Sequence, residues 1–291
     1  MILVTGANGH FGKATISFLL SKGVDPGQVA GLVREETKGA ELQAKGITVK
    51  VGSYDDYNVL VAAFSGVDQL LLVSGTDLAN RSRQHENVVK AAKEAGVRKV
   101  LYTSFERKNE TGTNPLGLLA QSHLYTESVI KESGMSYTIL RNNFYLDYLP
   151  LFLGEEVLET GVYFPAGEGR MAMATRSDMA EAAANVLTSQ GHDNKEYYIS
   201  NTEDFSFGDV ANVLSQVTGK KVPYNSPDAD TYVNTLISAG VPGEIAEASK
   251  GYAEAIKQGE LSLVKSDLDT LLGRKPVSLK EYLTSTYGAQ Q

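Results

Sequence analysis

A glycine-rich turn directly after the first apolar run constrains this chain more than any other feature. Residues 2–5 are apolar and β-rich, and glycines follow at positions 6, 9 and 12. At this spacing the first glycine permits a tight turn, the second lets backbone N–H groups approach a pyrophosphate, and the third brings a helix close to the strand. The turn therefore predicts a strand–turn–helix unit whose helix N-terminus faces the phosphates of a dinucleotide. The residues predicted to contact those phosphates are Gly6, Ala7, Asn8, Gly9, His10 and Phe11.

The first half of the chain alternates β-rich runs with amphipathic helical segments. The predicted strands are Ile2–Thr5, Val29–Val33, Ile47–Val51, Gln69–Val73, Lys99–Thr103 and Tyr137–Leu140. The predicted helices between them are Lys13–Lys22, Val59–Phe64, Asn87–Ala95 and Leu119–Glu132. Two of the strands are nearly continuous apolar runs, which is typical of strands covered on both faces. This alternation predicts an α/β protein with a doubly wound parallel sheet, the Rossmann fold.

The alternation stops after residue 145. Beyond it the predicted helices are Tyr145–Leu158, Ser177–Ser189, Phe207–Thr218, Ala229–Ala239, Glu244–Gln258 and Ser266–Leu272, and short strands are predicted at 161–165 and 196–199. We expect residues 1–145 to form the NAD(P)-binding domain, with segments near 171–200 returning to it. Residues 146–170 and 201–291 are expected to form a smaller, mostly helical C-terminal lobe that binds the substrate.

Composition narrows the classes of function. The 291 residues include no cysteine, which excludes disulfides, thiolate metal sites and cysteine nucleophiles, and the four scattered histidines predict no metal site. The net charge of −8 argues against nucleic acid as a partner. The chain shows no basic signal-peptide start and no apolar run long enough for a membrane span, so we expect a cytoplasmic protein without a membrane partner. An apolar helix face could pack inside the chain or against a second copy, which leaves a homodimer open.

The end of the second predicted strand bears on the choice of cofactor. Arg34 stands where NAD-binding sheets carry an acidic residue, and a guanidinium group binds a ribose 2′-phosphate bidentately. Glu35 and Glu36 follow and could reach a ribose hydroxyl, so NADPH is favoured and NADH is the alternative. Ligands of such sheets lie at the carboxyl ends of the strands. The cofactor contacts predicted at the ends of the fourth and fifth strands are Ser74, Gly75, Thr76, Thr103 and Ser104.

A common catalytic pair is missing. Most short-chain reductases carry Tyr-x-x-x-Lys on the helix after the fifth strand, but none of the 15 tyrosines here has a lysine four positions later. This absence disfavours an alcohol–ketone dehydrogenase or a sugar epimerase. Hydride transfer to an acceptor that needs little acid catalysis remains open.

Taken together, these motifs resemble the NmrA-like family of atypical short-chain dehydrogenases/reductases. The segments that carry the resemblance are Gly6–Gly12, Leu32–Arg34, Tyr102–Ser104, Tyr137–Asn142, Ala174–Asp178 and Ala255–Glu260. Within the family the chain is most similar to the quinone-reducing and triphenylmethane-dye-reducing enzymes. The resemblance implies an NADPH-dependent reductase that passes a hydride to a small quinone-like or dye-like acceptor. The alternative is a non-catalytic regulatory protein that senses NADP.

The resemblance also implies site residues. Several members carry a catalytic lysine at the position of His123, where an imidazole could bind the ribose or protonate a quinol oxygen. Glu127 could orient this imidazole from one turn away, although His123 could equally be a packing residue. The predicted acceptor contacts are Thr138, Ile139, Leu140, Arg141, Asn142, Asn143, Phe144, Tyr145 and Arg176. The aromatic members of this set suit a flat acceptor, or else belong to the core, and Arg176 could instead pair with Asp178. His85 and His192 are expected at the surface.

Overall fold

Strands and helices alternate through the first 142 residues. The computed structural model describes residues 1–288. The strands are β1 (Ile2–Val4), β2 (Val29–Val33), β3 (Thr48–Val51), β4 (Gln69–Leu72), β5 (Lys99–Phe105), β6 (Ser136–Asn142), β7 (Val162–Tyr163), β8 (Arg170–Met171), β9 (Lys195–Ile199), β10 (Phe205–Ser206) and β11 (Tyr224–Asn225). The α-helices are α1 (His10–Ser21), α2 (Ala40–Ala44), α3 (Tyr57–Ala63), α4 (Arg81–Glu94), α5 (Leu118–Glu132), α6 (Leu149–Leu153), α7 (Val157–Thr160), α8 (Arg176–Thr188), α9 (Phe207–Thr218), α10 (Ala229–Ser238), α11 (Gly243–Lys257), α12 (Leu268–Leu272) and α13 (Leu279–Tyr287). Short 3-10 turns lie at Pro26–Gln28, Glu36–Gly39 and Leu146–Tyr148.

Seven strands form one parallel sheet in the order β3-β2-β1-β4-β5-β6-β9. Alternate strand residues face opposite sides: Val4 packs in a cluster with α1, α8 and α12, whereas Leu3 packs in a cluster with α3, α4 and α5. The sheet is therefore doubly wound, and the predicted fold class is confirmed. The strand order reverses between β1 and β4, and in such sheets ligands bind at the carboxyl ends beside this reversal.

The remaining segments form a third apolar cluster beyond the carboxyl edge of the sheet. Its centre is the stacked pair Phe164 and Phe207, with ring centroids 4.4 Å apart. Helices α9, α10, α11 and α13 surround it, and two small strand pairs, β8–β10 and β7–β11, brace it. The predicted C-terminal lobe of residues 201–291 includes α12. In the structure Leu268 of α12 is buried against α8, so this helix packs on the sheet.

Local chemistry explains where the predicted helices differ from the structure. The helix expected over Tyr145–Leu158 is broken into a 3-10 turn, α6 and α7, because Gly154 adopts a positive φ of 75° that ends α6. Helix α13 was not predicted, although Ser278 and Glu281 form a capping box at its start. Within residues 1–288 no helix combines the length and the apolar character that a membrane crossing requires.

Candidate functional site

The glycine turn has the geometry of an anion cradle. Gly6 adopts a φ of +58°, and the Gly9 N–H donates to the Gly6 carbonyl at 2.9 Å. Helix α1 begins at His10 with no side-chain cap and no acidic residue in its first turn. A Cβ at Gly12 would lie 2.4 Å from the Gly6 carbonyl oxygen, so only glycine lets the helix approach the turn. The positive end of α1 is thus uncovered at the carboxyl edge of the sheet.

Other predicted cofactor residues lie at the same edge. Arg34 is exposed directly after β2, and Thr76 is exposed four residues after the end of β4. The Ser74 N–H donates to the Thr103 hydroxyl at 2.9 Å, and the Ser104 hydroxyl donates to Glu127. Thr103 and Ser104 are buried, so their side chains join strands and helices of the protein and do not face a ribose.

A buried polar network holds the loop after β4. The Gly75 N–H donates to His85 Nε2 at 3.0 Å, and the Gly75 carbonyl accepts from Arg81 Nε at 2.7 Å. Because Nε2 accepts, the proton of His85 lies on Nδ1, which contacts the Thr126 hydroxyl at 3.0 Å. Burial, with the nearby Arg81 charge, lowers the pKa of His85 to about 3. The expectation that His85 lies at the surface is wrong, because the polar partners of both ring nitrogens are inside the fold.

His123 lies in the same network. Arg81 Nη1 approaches its Nε2 at 3.2 Å, and the Tyr102 hydroxyl lies 2.6 Å from its Nδ1. Burial and the charge of Arg81 hold the pKa of His123 well below its ordinary value. The imidazole is therefore neutral with both nitrogens engaged, so it positions Arg81 and is a poor proton donor. The prediction that Glu127 orients His123 is wrong, because the Glu127 carboxylate binds Ser104, Arg107 and Arg141 instead.

Glu127 belongs to a separate ion cluster. Burial raises the pKa of Glu127, but hydrogen bonds from Arg107 and Arg141 outweigh burial and bring that pKa below its ordinary value. The carboxylate accepts from Arg107 at 2.9 Å and from Arg141 at 2.8 Å. Arg141 also pairs with Glu196 at 2.8 Å and lines a polar cleft of about 450 Å³ beside α5. Arg141 thus faces away from the predicted acceptor contacts that follow it.

The start of the predicted acceptor segment is buried in the sheet. Ile139 and Leu140 are completely covered, and the Thr138 hydroxyl donates to the His192 carbonyl at 2.6 Å. These three residues fill the core, because β6 is an inner strand packed on both faces. The prediction that these three side chains line the acceptor pocket is therefore wrong. His192, expected at the surface, is half-buried and contacts the Tyr197 hydroxyl at 2.8 Å.

Two amides follow at the carboxyl end of β6. Asn142 is buried, and neither polar atom of its amide has a hydrogen-bond partner within residues 1–288. Asn143 Nδ2 donates to Glu106 at 3.0 Å and to the Leu261 carbonyl at 3.1 Å. Burial raises the pKa of Glu106 to about 7.

Aromatic residues connect this edge to the glycine turn. The Tyr145 ring lies 6.3 Å from that of Phe11, and the Arg176 guanidinium lies over Tyr145 at 4.7 Å. Arg176 approaches Asp147 at 3.9 Å and not Asp178, which pairs with Arg274. The turn after β6 is therefore brought next to the cradle.

Phe144 packs against the third apolar cluster, the one centred on Phe164 and Phe207. It makes edge contacts with Phe105 at 5.4 Å and with Tyr252 at 4.8 Å. A narrow apolar cavity with no room for a water molecule lies beside it. The residues lining this cavity are Phe144, Phe152, Met171, Met173, Tyr252, Ile256 and Leu261. It is smaller than the roughly 300–1,000 Å³ of most ligand pockets.

Comparison with known proteins identifies the family of this chain. The model of the NmrA-like family matches residues 1–283. The chain belongs to the NmrA-like family. The predicted family is confirmed. The chain is 35% identical over 288 residues to quinone oxidoreductase 2 of Escherichia coli strain K12, covering 99% of each chain.

Two solved structures resemble this family member closely. An NADPH-dependent quinone oxidoreductase from Escherichia coli, solved with NADPH, superposes with a TM-score of 0.91 at 34% identity, covering 99% of this chain and 100% of that one. The triphenylmethane reductase of Citrobacter sp., solved with NADP(H), superposes with a TM-score of 0.91 at 36% identity, with the same coverage.

Three residues of the site in this NmrA-like chain were not predicted from sequence. Arg81 and His85 lie on α4, and Tyr252 lies on α11. Their types and positions carry no local pattern that separates them from surface residues. Only the tertiary fold, which packs α4 against α5 and Tyr252 against Phe144, reveals them.

Proposed function

We propose that this NmrA-like protein is an NADPH-dependent reductase that transfers a hydride to a quinone-like or dye-like acceptor. Its relatives support an NAD(P)H-dependent oxidoreductase with NADPH as the cofactor, as the sequence predicts. The observation that carries the proposal is the contact of Tyr145 with Phe11, since it joins an aromatic acceptor surface to the phosphate cradle.

The residues at the sheet edge fit the cofactor. The uncapped N-terminus of α1 suits a pyrophosphate, and the exposed Arg34 suits a 2′-phosphate. A buried amide without partners costs about 1–3 kcal/mol, so the amide of Asn142 calls for a ligand. A nicotinamide carboxamide offers one donor and one acceptor, which complement that amide. On this proposal residues 1–145 bind the cofactor, and the lobe of residues 146–170 and 201–291 binds the acceptor.

Catalysis then depends mainly on position. When bound, NADPH supplies a hydride from its nicotinamide ring. Phe144 and Tyr145 offer aromatic faces against which a flat acceptor can stack. The network of His85, His123 and Arg81 fixes the loop after β4 and thus the shape of the site. Holding two reactants in this way contributes to rate without any acid group.

The test is NADPH consumption by the purified protein with a simple quinone and with a triphenylmethane dye, with NADH measured in parallel. We expect turnover with NADPH and at least one acceptor class, and slower turnover with NADH. Tight NADPH binding without turnover on any acceptor would overturn the proposal.

The small cavity beside Phe144 favours a second candidate, an NADP-sensing regulatory protein. Such a protein needs the cradle but no room for an acceptor. It predicts that NADP⁺ and NADPH bind with different affinities and that no acceptor accelerates NADPH oxidation. Calorimetry with both nucleotides, set beside the turnover assay, separates the two candidates.

A further inference from the structure

Glu260 lies in the turn that follows α11, and it is the last residue of the segments that carry the family resemblance. Only 7% of Glu260 is exposed, and its Oε2 accepts hydrogen bonds from the backbone N–H groups of Lys108 and Asn109, both at 3.0 Å. Asn114 Nδ2 approaches the same oxygen at 3.4 Å. All three donors belong to the loop of residues 106–117, which follows β5 at the carboxyl edge of the sheet. Because hydrogen bonds to a carboxylate are about twice as strong as neutral ones, this contact is a firm link between two distant segments.

The loop of residues 106–117 is a compact piece that Glu260 holds as a whole. Within it, the Asn114 side chain donates to the Asn109 carbonyl at 2.6 Å and accepts from the Leu116 N–H at 2.8 Å. The Leu116 side chain packs against the third apolar cluster. Loops that are packed by their own side chains in this way are compact units. A change at Glu260 therefore acts on the whole loop and not on one residue.

The turn after α11, residues 258–262, is joined to the wall of the apolar cavity. Leu261 lines that cavity, and its carbonyl accepts from the Ala172 N–H at 2.8 Å. Helix α11 itself packs against the loop before β8, because a Cβ at Gly169 would lie 2.5 Å from the Ile256 carbonyl oxygen. Helix α11, its turn and β8 therefore form one side of the cavity.

The cavity is closed between this side and the edge of the sheet. Phe144, just after β6, meets Tyr252 of α11 edge-on at 4.8 Å. Because the cavity beside these rings has no room for a water molecule, a flat acceptor cannot stack on Phe144 until α11 moves away from the sheet. Two polar links oppose that movement. One is the contact of Glu260 with the loop of residues 106–117, and the other is a hydrogen bond at 3.1 Å from Asn143 to a backbone carbonyl of the turn.

We propose that Glu260 acts as a latch: its contact with the loop after β5 holds α11 closed over the acceptor, and release of that contact admits the acceptor. This inference rests on the proposed function and adds the route by which the acceptor enters its site. Glu260 does not line the cavity, so it is a positioning residue and not a catalytic one. Closure of this kind holds an acceptor at reacting distance, whereas opening is needed for its entry.

The latch predicts opposite effects on binding and on turnover. When only a fraction of the protein is open, the apparent affinity for a ligand is reduced by that fraction, so a weaker latch should tighten acceptor binding. The same change should slow hydride transfer, because the acceptor is held less firmly. General damage to the fold would instead weaken the binding of both the acceptor and NADPH.

The closing experiment compares the wild type with Glu260→Gln and Glu260→Ala, using Glu247→Gln as a control because Glu247 is exposed on α11. With a simple quinone, we expect Glu260→Ala to lower both KM and kcat by about tenfold. Glu260→Gln should lower both by less, since its amide oxygen still accepts a hydrogen bond. NADPH affinity in all variants, and every property of the control, should match the wild type. An unchanged or raised KM for the quinone would overturn the latch.

Two measurements without turnover separate the latch from the proposed function. Amide hydrogen exchange at Lys108 and Asn109 reports the contact, and the fluorescence of 8-anilinonaphthalene-1-sulfonate reports opening of the apolar cavity. We expect both signals to rise in the two Glu260 variants, the exchange rates by at least about tenfold in Glu260→Ala, while urea unfolding stays cooperative. If no quinone is turned over but this pattern holds, the proposed function fails and the latch stands. Unchanged dye binding, with or without faster exchange, would mean that the contact only stabilises the loop, and the latch would be refuted whatever the turnover.

Discussion

A methyl group at position 12 tests the phosphate cradle directly. The Cβ of Gly12→Ala would lie 2.4 Å from the Gly6 carbonyl oxygen and 3.0 Å from the Ala7 Cα. Both neighbours are backbone atoms, so no side chain can swing away. Ordinary contact begins at 3.4 Å, so α1 and the turn must separate by about 1.0 Å (3.4 − 2.4).

This separation should weaken the cofactor more than the fold. A displacement of about 1 Å takes N–H groups out of hydrogen-bonding range, so we expect NADPH affinity to fall by at least about tenfold, or roughly 1.4 kcal/mol. Overpacking of this kind costs about 1–3 kcal/mol of stability. Calorimetric titration with NADPH measures the first effect, and urea unfolding measures the second.

The control is Gly243→Ala, at the first residue of α11, where the nearest atom to a Cβ is Ile237 Cδ1 at 4.0 Å. Its NADPH affinity and stability should match the wild type. A folded Gly12→Ala protein that binds NADPH as tightly as the wild type would refute the assignment of the α1 N-terminus as the pyrophosphate site.

Three further predictions follow from charges. Arg34→Glu should weaken NADPH by at least about tenfold more than NADH, whereas Lys38→Glu should not; equal losses for both nucleotides in titrations would refute a 2′-phosphate contact. Glu127→Gln removes the buried carboxylate that Arg107 and Arg141 share, while each arginine keeps a second carboxylate partner, so urea unfolding should show a loss of about 1–3 kcal/mol, against almost none for the exposed Glu132→Gln. Glu106 has a folded pKa of about 7 against an ordinary 4.5, so the folded state binds the extra proton and stability should fall by about 3 kcal/mol as pH rises from about 4.5 to 7. Glu106→Gln should abolish that fall, and unfolding free energies at pH 5 and pH 8 that differ equally in both proteins would contradict it.

Local patterns in the sequence were sufficient for the fold and the cradle. The glycine spacing, the apolar strand runs and the Gly residues that end helices are all written in short segments, and the strand Val29–Val33 and the helix Phe207–Thr218 match their predicted bounds. Predictions weakened where a residue's role depends on which face of a strand it occupies. Thr138, Ile139 and Leu140 were assigned to a pocket because they precede Asn142, but an inner strand buries both of its faces.

Charges in the site were harder to predict, because a charged side chain has no periodic signature. Glu127 is four positions after His123, which suggests a pair on one helix face, yet Arg107 and Arg141 attract its carboxylate from two other elements. Arg81 is the first residue of the amphipathic helix α4, and nothing in that pattern shows that the fold buries its guanidinium. A buried cation that the fold leaves without a counter-ion is a feature of the folded chain, and its free energy is recovered only when an anion binds or forms beside it.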